Sequence, residues 1–378
     1  MMTINQEVID RLRSEYGEAF YLLDSEQFCS NFKELKAAFS HIYPHFNIAY
    51  SYKTNYTPKL CRLVNELGGY AEVVSEMELE IAKRVGCRAD RIIWNGPIKK
   101  IDVMESFLCD GGTVNMDSCD ELAYLKEIAQ RHPDQMLHVG IRCNYDVKDG
   151  VVSRFGFDVD SEDFAKAISF TRETANVKLI NFQCHFAKRQ VEYWPVRAKG
   201  MVDLMDRLGV IPERVDIGGG MFGKMADSLK AQFSAHIPSY QEYAEAAAQV
   251  FADYFVGNGV EPELLIEPGS ALVGDCMKFV ATVKTIKNVR GKNFATVLGS
   301  QKNISMSGVN PPMEVVAMGK EQQEYQNMDI VGFTCIEGDV LYHNYTGKLA
   351  HGDAIVISNC GSYSLVMKPP FILPNFPV

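Results

Sequence analysis

The sequence predicts a (β/α)8, TIM-type barrel followed by a C-terminal antiparallel β domain, and three observations carry that expectation. Strand-like and helix-like segments alternate until eight of each have passed. The alternation fills about 240 residues, the length such a barrel takes. After Pro268 the helical period fades, and short β-type runs punctuated by glycine and proline replace it.

In chain order, a helical pattern over 26–41 precedes the first strand, 48–53, which ends on Lys53. Pro58 then opens a helix, as proline does at a first helical position. The later strands are expected at 70–75, 91–95, 113–117, 137–144, 178–185, 214–218 and 264–267. Amphipathic stretches at 76–86, 120–132, 161–176, 194–209 and 240–257 alternate with them. Ser75 with Glu78 and Ser118 with Glu121 have the spacing of a capping box. The alternative architecture is a doubly wound open sheet. It wants a G-x-G-x-x-G turn after the first strand, where "SYKTNY" stands instead.

Beyond the barrel, "KFVATVKTIKNV", "NFATVLGS", "DIVGFTCI" and "DAIVISNC" read as strands of the second domain. The opening "AFYLLD" is also strand-like and suits either domain. The expected division is a barrel over 26–268, with 1–25 and 269–378 forming the β domain.

Composition narrows the class. Of 378 residues 47% are hydrophobic and 23% charged, and the net charge is −10. That balance, without a basic run, speaks against nucleic acid or an anionic membrane as partner. No stretch reads as a signal peptide or a membrane span. The ten cysteines form neither a C-x-x-C pair nor a cluster at metal spacing, so free thiols in a reducing cytoplasm are expected and no metal site.

In a barrel of this kind the chemistry sits at the C-terminal ends of the strands. Those positions hold Lys53, Glu72, Asn95, Asp117, Arg142, Asn144, His185, the run Gly218-Gly219-Gly220, and Glu267-Pro-Gly-Ser. Singly each has a plainer reading: a surface lysine, a satisfied core histidine, a tight turn, a turn acid in water. Together they suit a phosphorylated aromatic aldehyde. A desolvated lysine can form a Schiff base with it. Consecutive glycines offer bare N–H groups to a phosphate. A flat histidine can lie on the ring, and an acid can keep a ring nitrogen protonated so that the ring accepts electrons. Pyridoxal 5'-phosphate needs this set.

Along nearly its whole length the chain resembles the fold-type III pyridoxal-phosphate enzymes, alanine racemase-like in build, and in particular the diaminopimelate/ornithine/arginine decarboxylase family. "FYLLD" is similar to that family's opening strand and "AYSYKTN" to its Schiff-base lysine segment, which implies Lys53 as the cofactor's lysine. "AEVVSEMEL" resembles its D-x-x-S-x-x-E-L stretch with Glu72 in the acid's place, and "SRFGF" its S-K-F-G motif. "DIGGG" resembles its phosphate glycines, "EPGS" its E-P-G-R turn, "CIEGDVL" its C-E-x-x-D motif and "GSYSLVM" its G-A-Y segment. The resemblance implies that Glu267 pairs with the pyridine nitrogen and His185 stacks on the ring. Gly218, Gly219, Gly220, Gly269 and Tyr363 would hold the cofactor. Cys335, Glu337 and Asp339 would serve a neighbour's site in a homodimer with shared active sites, with Ser270 and Arg142 near the substrate.

Two departures stand out. Where the family has H-x-G-S, this chain has "HFAKRQ", so Lys188, Arg189 or neither takes over the serine's phosphate contact. Ser270 replaces the arginine of E-P-G-R, which removes a bidentate anion clamp. The implied activity is decarboxylation of an amino acid, or of an amino-acid-bearing biosynthetic intermediate such as a natural-product precursor. Cys335 would act as the proton donor, with Lys53 as the alternative donor. An amino-acid racemase of the same build and a non-catalytic regulatory relative are the competing readings.

Overall fold

The computed structural model describes residues 4–257, 259–306, 308–368 and 370–378. The chain divides into two compact units, one of residues 29–222 with 236–271, the other of 1–28, 223–235 and 272–378. The expected division differs from this mainly at 223–235. That segment groups with the β-rich unit, where Gln232 and Asn310 exchange side chain–backbone hydrogen bonds at 2.8 and 2.7 Å.

The first strand, β1 (Ala19–Leu23), belongs to the β-rich unit. The barrel strands are β2 (Phe46–Ser51), β3 (Tyr70–Val73), β4 (Ile92–Trp94), β5 (Thr113–Met116) and β6 (Leu137–Asn144). After the two-residue β7 (Phe157–Asp158), they continue with β8 (Val177–Gln183), β9 (Arg214–Asp216) and β10 (Glu263–Ile266). They pair in parallel in the order β2-β3-β4-β5-β6-β8-β9-β10, and β10 returns to β2, closing an eight-stranded ring. β7 hangs on β6 outside it. β2, β3, β4 and β5 are buried at every position, as strands covered on both faces must be. Several strands end earlier than expected: β2 stops at Ser51, and Lys53 lies on a single 3-10 turn, Tyr52–Thr54.

The flanking helices begin with local signals. Ser75 accepts the Glu78 N–H at 3.2 Å, while the Glu78 carboxylate reaches Val74 N rather than Ser75 N. The box expected at Ser118 does not form. Glu121 instead accepts Asp117 N and pairs with the buried Lys99 ammonium at 2.9 Å, a stronger partner than a cap. A complete box stands at Ser239 and Glu242.

In the β-rich unit, β11 (Met277–Val289), β12 (Lys292–Val297), β13 (Met313–Val316), β14 (Gln323–Val331), β15 (Val340–Leu349) and β16 (Ala354–Ile357) follow one another in sequence. They pair in the order β13-β16-β11-β12-β14-β15, with β1 on β11. The pairs are antiparallel except β12 with β14, so the sheet is mixed. Alternation along the strands sorts two cores. Phe20, Val280 and Val356 pack with Ile9 on one face, and Tyr21, Phe279, Ala281 and Ile355 pack on the other. All ten cysteines are free thiols. No helix among the described residues is long and apolar enough to cross a membrane.

Candidate active site

The barrel interior is built in levels. Ala49, Tyr70, Ile93 and Leu265 pack together on four neighbouring strands. Two residues further along each chain, on the same pleated face, stand Ser51, Glu72, Asn95 and Glu267. An apolar level is thus followed by a polar one at the C-terminal ends.

At that level the groups are tied together. Lys53 Nζ donates to Glu72 Oε2 and to Ser51 Oγ, each at 2.7 Å, and Ser51 Oγ donates to the same carboxylate at 2.5 Å. Asn95 Nδ2 bridges the two acids, at 3.0 Å from Glu72 Oε1 and 2.5 Å from Glu267 Oε1. Gln183 Nε2 also donates to Glu267 Oε1, at 3.0 Å. Behind Asn95 runs an amide chain, Asn181 to Asn115 at 3.0 Å and Asn115 to Asn95 at 2.7 Å. Gly140 makes room for it, since a Cβ there would lie 1.8 Å from Asn115 Oδ1. The Glu72 side chain is 1% exposed and that of Lys53 35%, so the amine reaches the mouth while its partner stays dry.

The electrostatics follow from this packing. Burial alone would raise the Glu72 carboxyl, but the Lys53 ammonium and the Ser51 and Asn95 donors hold it below its usual value. Burial raises Glu267, helped by the charge of Glu72 and opposed by Lys53 and Arg142. Burial, then the cations Lys53, Arg197, Arg142 and Arg189, push His185 well below its usual value, so its ring is neutral. His185 Nδ1 accepts the Gly219 N–H at 2.9 Å, which leaves the proton on Nε2. The same nitrogen is 3.9 Å from Glu267 Oε2.

Two expectations need correction. The glycine run is not a set of three bare N–H groups. Gly218 N donates to Asp216 Oδ1 at 2.9 Å and Gly219 N to His185, so of the three only the Gly220 N–H meets no acceptor among the described residues. The run is glycine for close approach: at Gly218, with φ +73°, a Cβ would lie 2.3 Å from the Cys184 carbonyl oxygen, and at Gly219 it would lie 2.2 Å from that of Glu267. Asp339 is likewise engaged. It is buried and accepts from Ser300 Oγ at 3.0 Å, Gln301 N at 2.7 Å and Thr334 Oγ1 at 2.5 Å, so it fastens its own loop.

The other expected residues sit as follows. Arg142 lies 3.6 Å from Asp117 Oδ1 and 4.6 Å from the Phe155 ring. Asn144 holds the Ser153 and Phe155 carbonyls, fastening "SRFGF". Gly269 packs against Thr54, where a Cβ would not fit. Ser270 opens a four-residue helix, Ser270–Val273. Lys188 and Arg189 have their backbone carbonyls tied by Arg197 and Tyr243, and Arg189 lies over the Phe222 ring. In the β-rich unit Cys335 and Glu337 are exposed, and Tyr363 is half-buried with a left-handed backbone, φ +59°.

Sequence reasoning passed over the amides of Asn115, Asn181 and Gln183, and over Arg197. The Arg197 guanidinium is fully buried and grips the Gly219 carbonyl at 2.7 Å and that of Ile217 at 3.2 Å. A signal existed in each case: a polar residue inside an otherwise apolar strand, or an arginine on the apolar stripe of a helix.

A closed parallel barrel that gathers an accessible amine, buried acids and a neutral imidazole at its C-terminal mouth holds the groups that carbonyl chemistry uses. Comparison with known proteins makes the class specific: the chain belongs to the pyridoxal-dependent decarboxylases, whose pyridoxal-binding-domain model matches residues 27–274. It is 25% identical over 379 residues to a diaminopimelate decarboxylase of Aquifex aeolicus, covering 95% of this chain and 85% of that one. It is 25% identical over 398 residues to an L-glutamyl-[BtrI acyl-carrier protein] decarboxylase of Niallia circulans, covering 98% and 90%. The fold matches a crystal structure of diaminopimelate decarboxylase from M. jannaschii with a TM-score of 0.83 at 23% identity, over 96% of this chain and 86% of that one. The decarboxylase expectation holds, and the racemase alternative does not.

Proposed function

We propose that this chain uses pyridoxal 5'-phosphate to decarboxylate an amino acid, or an amino-acid unit borne on a larger biosynthetic intermediate. In this reading it is a cytoplasmic homodimer with shared active sites. The supporting observation is the hydrogen-bonded chain Lys53–Glu72–Asn95–Glu267 across four barrel strands. Its parts fit the cofactor: an amine at the mouth for the aldehyde, a buried acid for the ring nitrogen, a neutral imidazole for the ring face, and the Gly220 N–H for the phosphate. Tyr363 and the turn at Gly269 are the further phosphate contacts in this reading.

When bound, the cofactor supplies an electron sink for the pair released as carbon dioxide leaves. The chain's own groups do the rest. Ser51 and Glu72 fix Lys53 Nζ in place. Asn95 and Gln183 supply two donors that favour the ionised form of Glu267, ready to accept a proton-bearing ring nitrogen. Cys335 Sγ is the proposed donor to the carbon that has lost its carboxylate, with Lys53 Nζ as the alternative. Ser270, short and uncharged, supports a substrate without a distal carboxylate, and Arg142 is already engaged by Asp117 and Phe155.

Borohydride treatment of the holoenzyme followed by peptide mapping is expected to leave a pyridoxyl group on Lys53. Carbon dioxide release across a panel of amino acids, free and carrier-bound, then identifies the substrate. A label on another lysine overturns the assignment.

A further inference from the structure

The Arg197 guanidinium, carried by the first turn of the helix Trp194–Leu208, is fully buried, and an arginine keeps its charge even there. Its hydrogen bonds go to backbone carbonyls alone, those of Gly219 at 2.7 Å, Ile217 at 3.2 Å and Lys188 at 3.4 Å. Nε is buried and unpartnered, and the Trp194 and Phe186 ring centroids lie 4.5 and 5.7 Å from the guanidinium carbon. Among the described residues no carboxylate pairs with this cation. A buried charge without its opposite is costly, so the anion that Arg197 serves has to be found.

The glycine loop shows where. The Ile217–Gly218 peptide has Arg197 on its carbonyl, and its N–H donates to Asp216 Oδ1 at 2.9 Å. In the Gly218–Gly219 peptide the carbonyl accepts Glu267 N at 2.9 Å and the N–H donates to His185 Nδ1, also at 2.9 Å. The Gly219–Gly220 peptide repeats the first arrangement with one end open. Arg197 holds its carbonyl, but its N–H meets no acceptor among the described residues. A trans peptide is planar, so that N–H points away from the carbonyl and from the guanidinium on it. Gly220 takes φ +89°, and a Cβ there would come no nearer than 3.6 Å to the Lys188 and Phe186 carbonyl oxygens. Glycine therefore stands at 220 for its backbone direction, not for close packing.

We propose that Arg197 is a positioning residue for the cofactor's phosphate: it fixes the Gly219–Gly220 peptide and, through that peptide, strengthens the Gly220 N–H as the phosphate's donor. Hydrogen bonds in series polarise one another, and a low local dielectric enlarges the effect. The same dielectric lets the buried charge act across one peptide on an anion it does not touch. The phosphate in turn supplies the negative charge that the chain does not place beside Arg197. The proposal rests on the reading that the Gly220 N–H receives that phosphate.

Two aldehydes test this, pyridoxal 5'-phosphate and pyridoxal, which lacks the phosphate, each titrated by absorbance into the full chain stripped of cofactor. Arg197→Gln keeps an N–H donor and loses the charge. It is expected to weaken binding of the phosphorylated aldehyde about thirtyfold and that of pyridoxal by less than about threefold. Arg197→Lys keeps the charge and is expected to hold the unchanged chain's ratio of the two affinities within about threefold. Circular dichroism checks that each variant is folded. If Arg197→Gln is not, Arg197→Met, which suits the Trp194 and Phe186 walls, replaces it with the same expectation. A purely structural arginine would cost both aldehydes alike. An equal loss for the two, or a lysine variant as weak as the glutamine one, overturns the proposal alone. If the unchanged chain binds both aldehydes equally well, the cofactor reading falls and the proposal with it.

Discussion

The barrel mouth and the loop from Cys335 to Asp339 carry the two halves of the proposed chemistry, and they are built in opposite ways. At the mouth, Glu72, Asn95, Gln183 and Glu267 are buried and hydrogen-bonded to one another. The loop instead exposes Cys335, Ile336 and Glu337, and only Asp339 is buried and bonded. A network completed inside one unit is set as that unit folds. An exposed thiol and carboxylate have geometry only once something else is brought to them. The difference teaches that the lysine side of the site is preorganised within its own unit and the thiol side is not; in the proposed homodimer the partner would supply its surroundings. That is the arrangement expected of a site shared across a two-fold dimer.

The largest expected effect breaks both halves at once. Lys53→Ala and Cys335→Ala homodimers are each expected to lose activity at least about a thousandfold. Mixed and re-paired at equal amounts, half the dimers become heterodimers, each with one site holding both residues and one holding neither. Activity should return to about a quarter of wild type under two-fold symmetry. If re-pairing is demonstrated and nothing returns, lysine and thiol act within one chain.

A smaller effect sharpens the substrate side. A distal carboxylate held by an arginine gains a charge-assisted contact worth about 2 kcal/mol, roughly thirtyfold in kcat/KM. Ser270 forms no such contact, so diaminopimelate is expected to be a poor substrate, and Ser270→Arg should recover about that factor. Efficient diaminopimelate turnover by the unchanged chain would refute this.

The two units also differ in how far their sequences could be read. The eight strands and Lys53, Glu72 and Glu267 were visible because local period and strand-end position are sequence properties. The amide chain was not. Asn115 and Asn181 are 66 residues apart and meet only because β6 lies between β5 and β8 in a closed ring. The glycine run was misread for a nearer reason: Asp216, two residues upstream, turns back on Gly218 N, a local aspartate habit the motif's phosphate reading hides. Ser118 misled because Lys99, nineteen positions earlier, claims Glu121 in three dimensions. In the β-rich unit the alternating runs marked strands, but not that β12 would pair β14 in parallel.

The smallest effect concerns a buried acid of the barrel that the network leaves aside. Glu78 has one backbone donor, Val74 N at 2.7 Å, and among the described residues no cation pairs with it as Lys53 does with Glu72 and Lys99 with Glu121, Lys53 acting on it only from further off. Burial, reinforced by the charge of Glu72, pushes its carboxyl up to about 7 against the Val74 N–H. Below pH 4.5 the folded and unfolded chains both keep this proton, so it contributes nothing. Between there and about 7 the folded state holds a proton that the unfolded state has lost, so stability falls as pH rises, and above 7 the cost is constant. The interval sets a ceiling of about 3 kcal/mol. About 1 kcal/mol is expected to remain once the structure relaxes to admit water around the charge. Glu78→Gln keeps an oxygen for Val74 N and never ionises. Thermal melts of both proteins should therefore coincide at about pH 4 and separate steadily toward pH 7, with the variant the more stable. A separation that does not grow over that window would mean Glu78 is already ionised and solvated in the folded barrel.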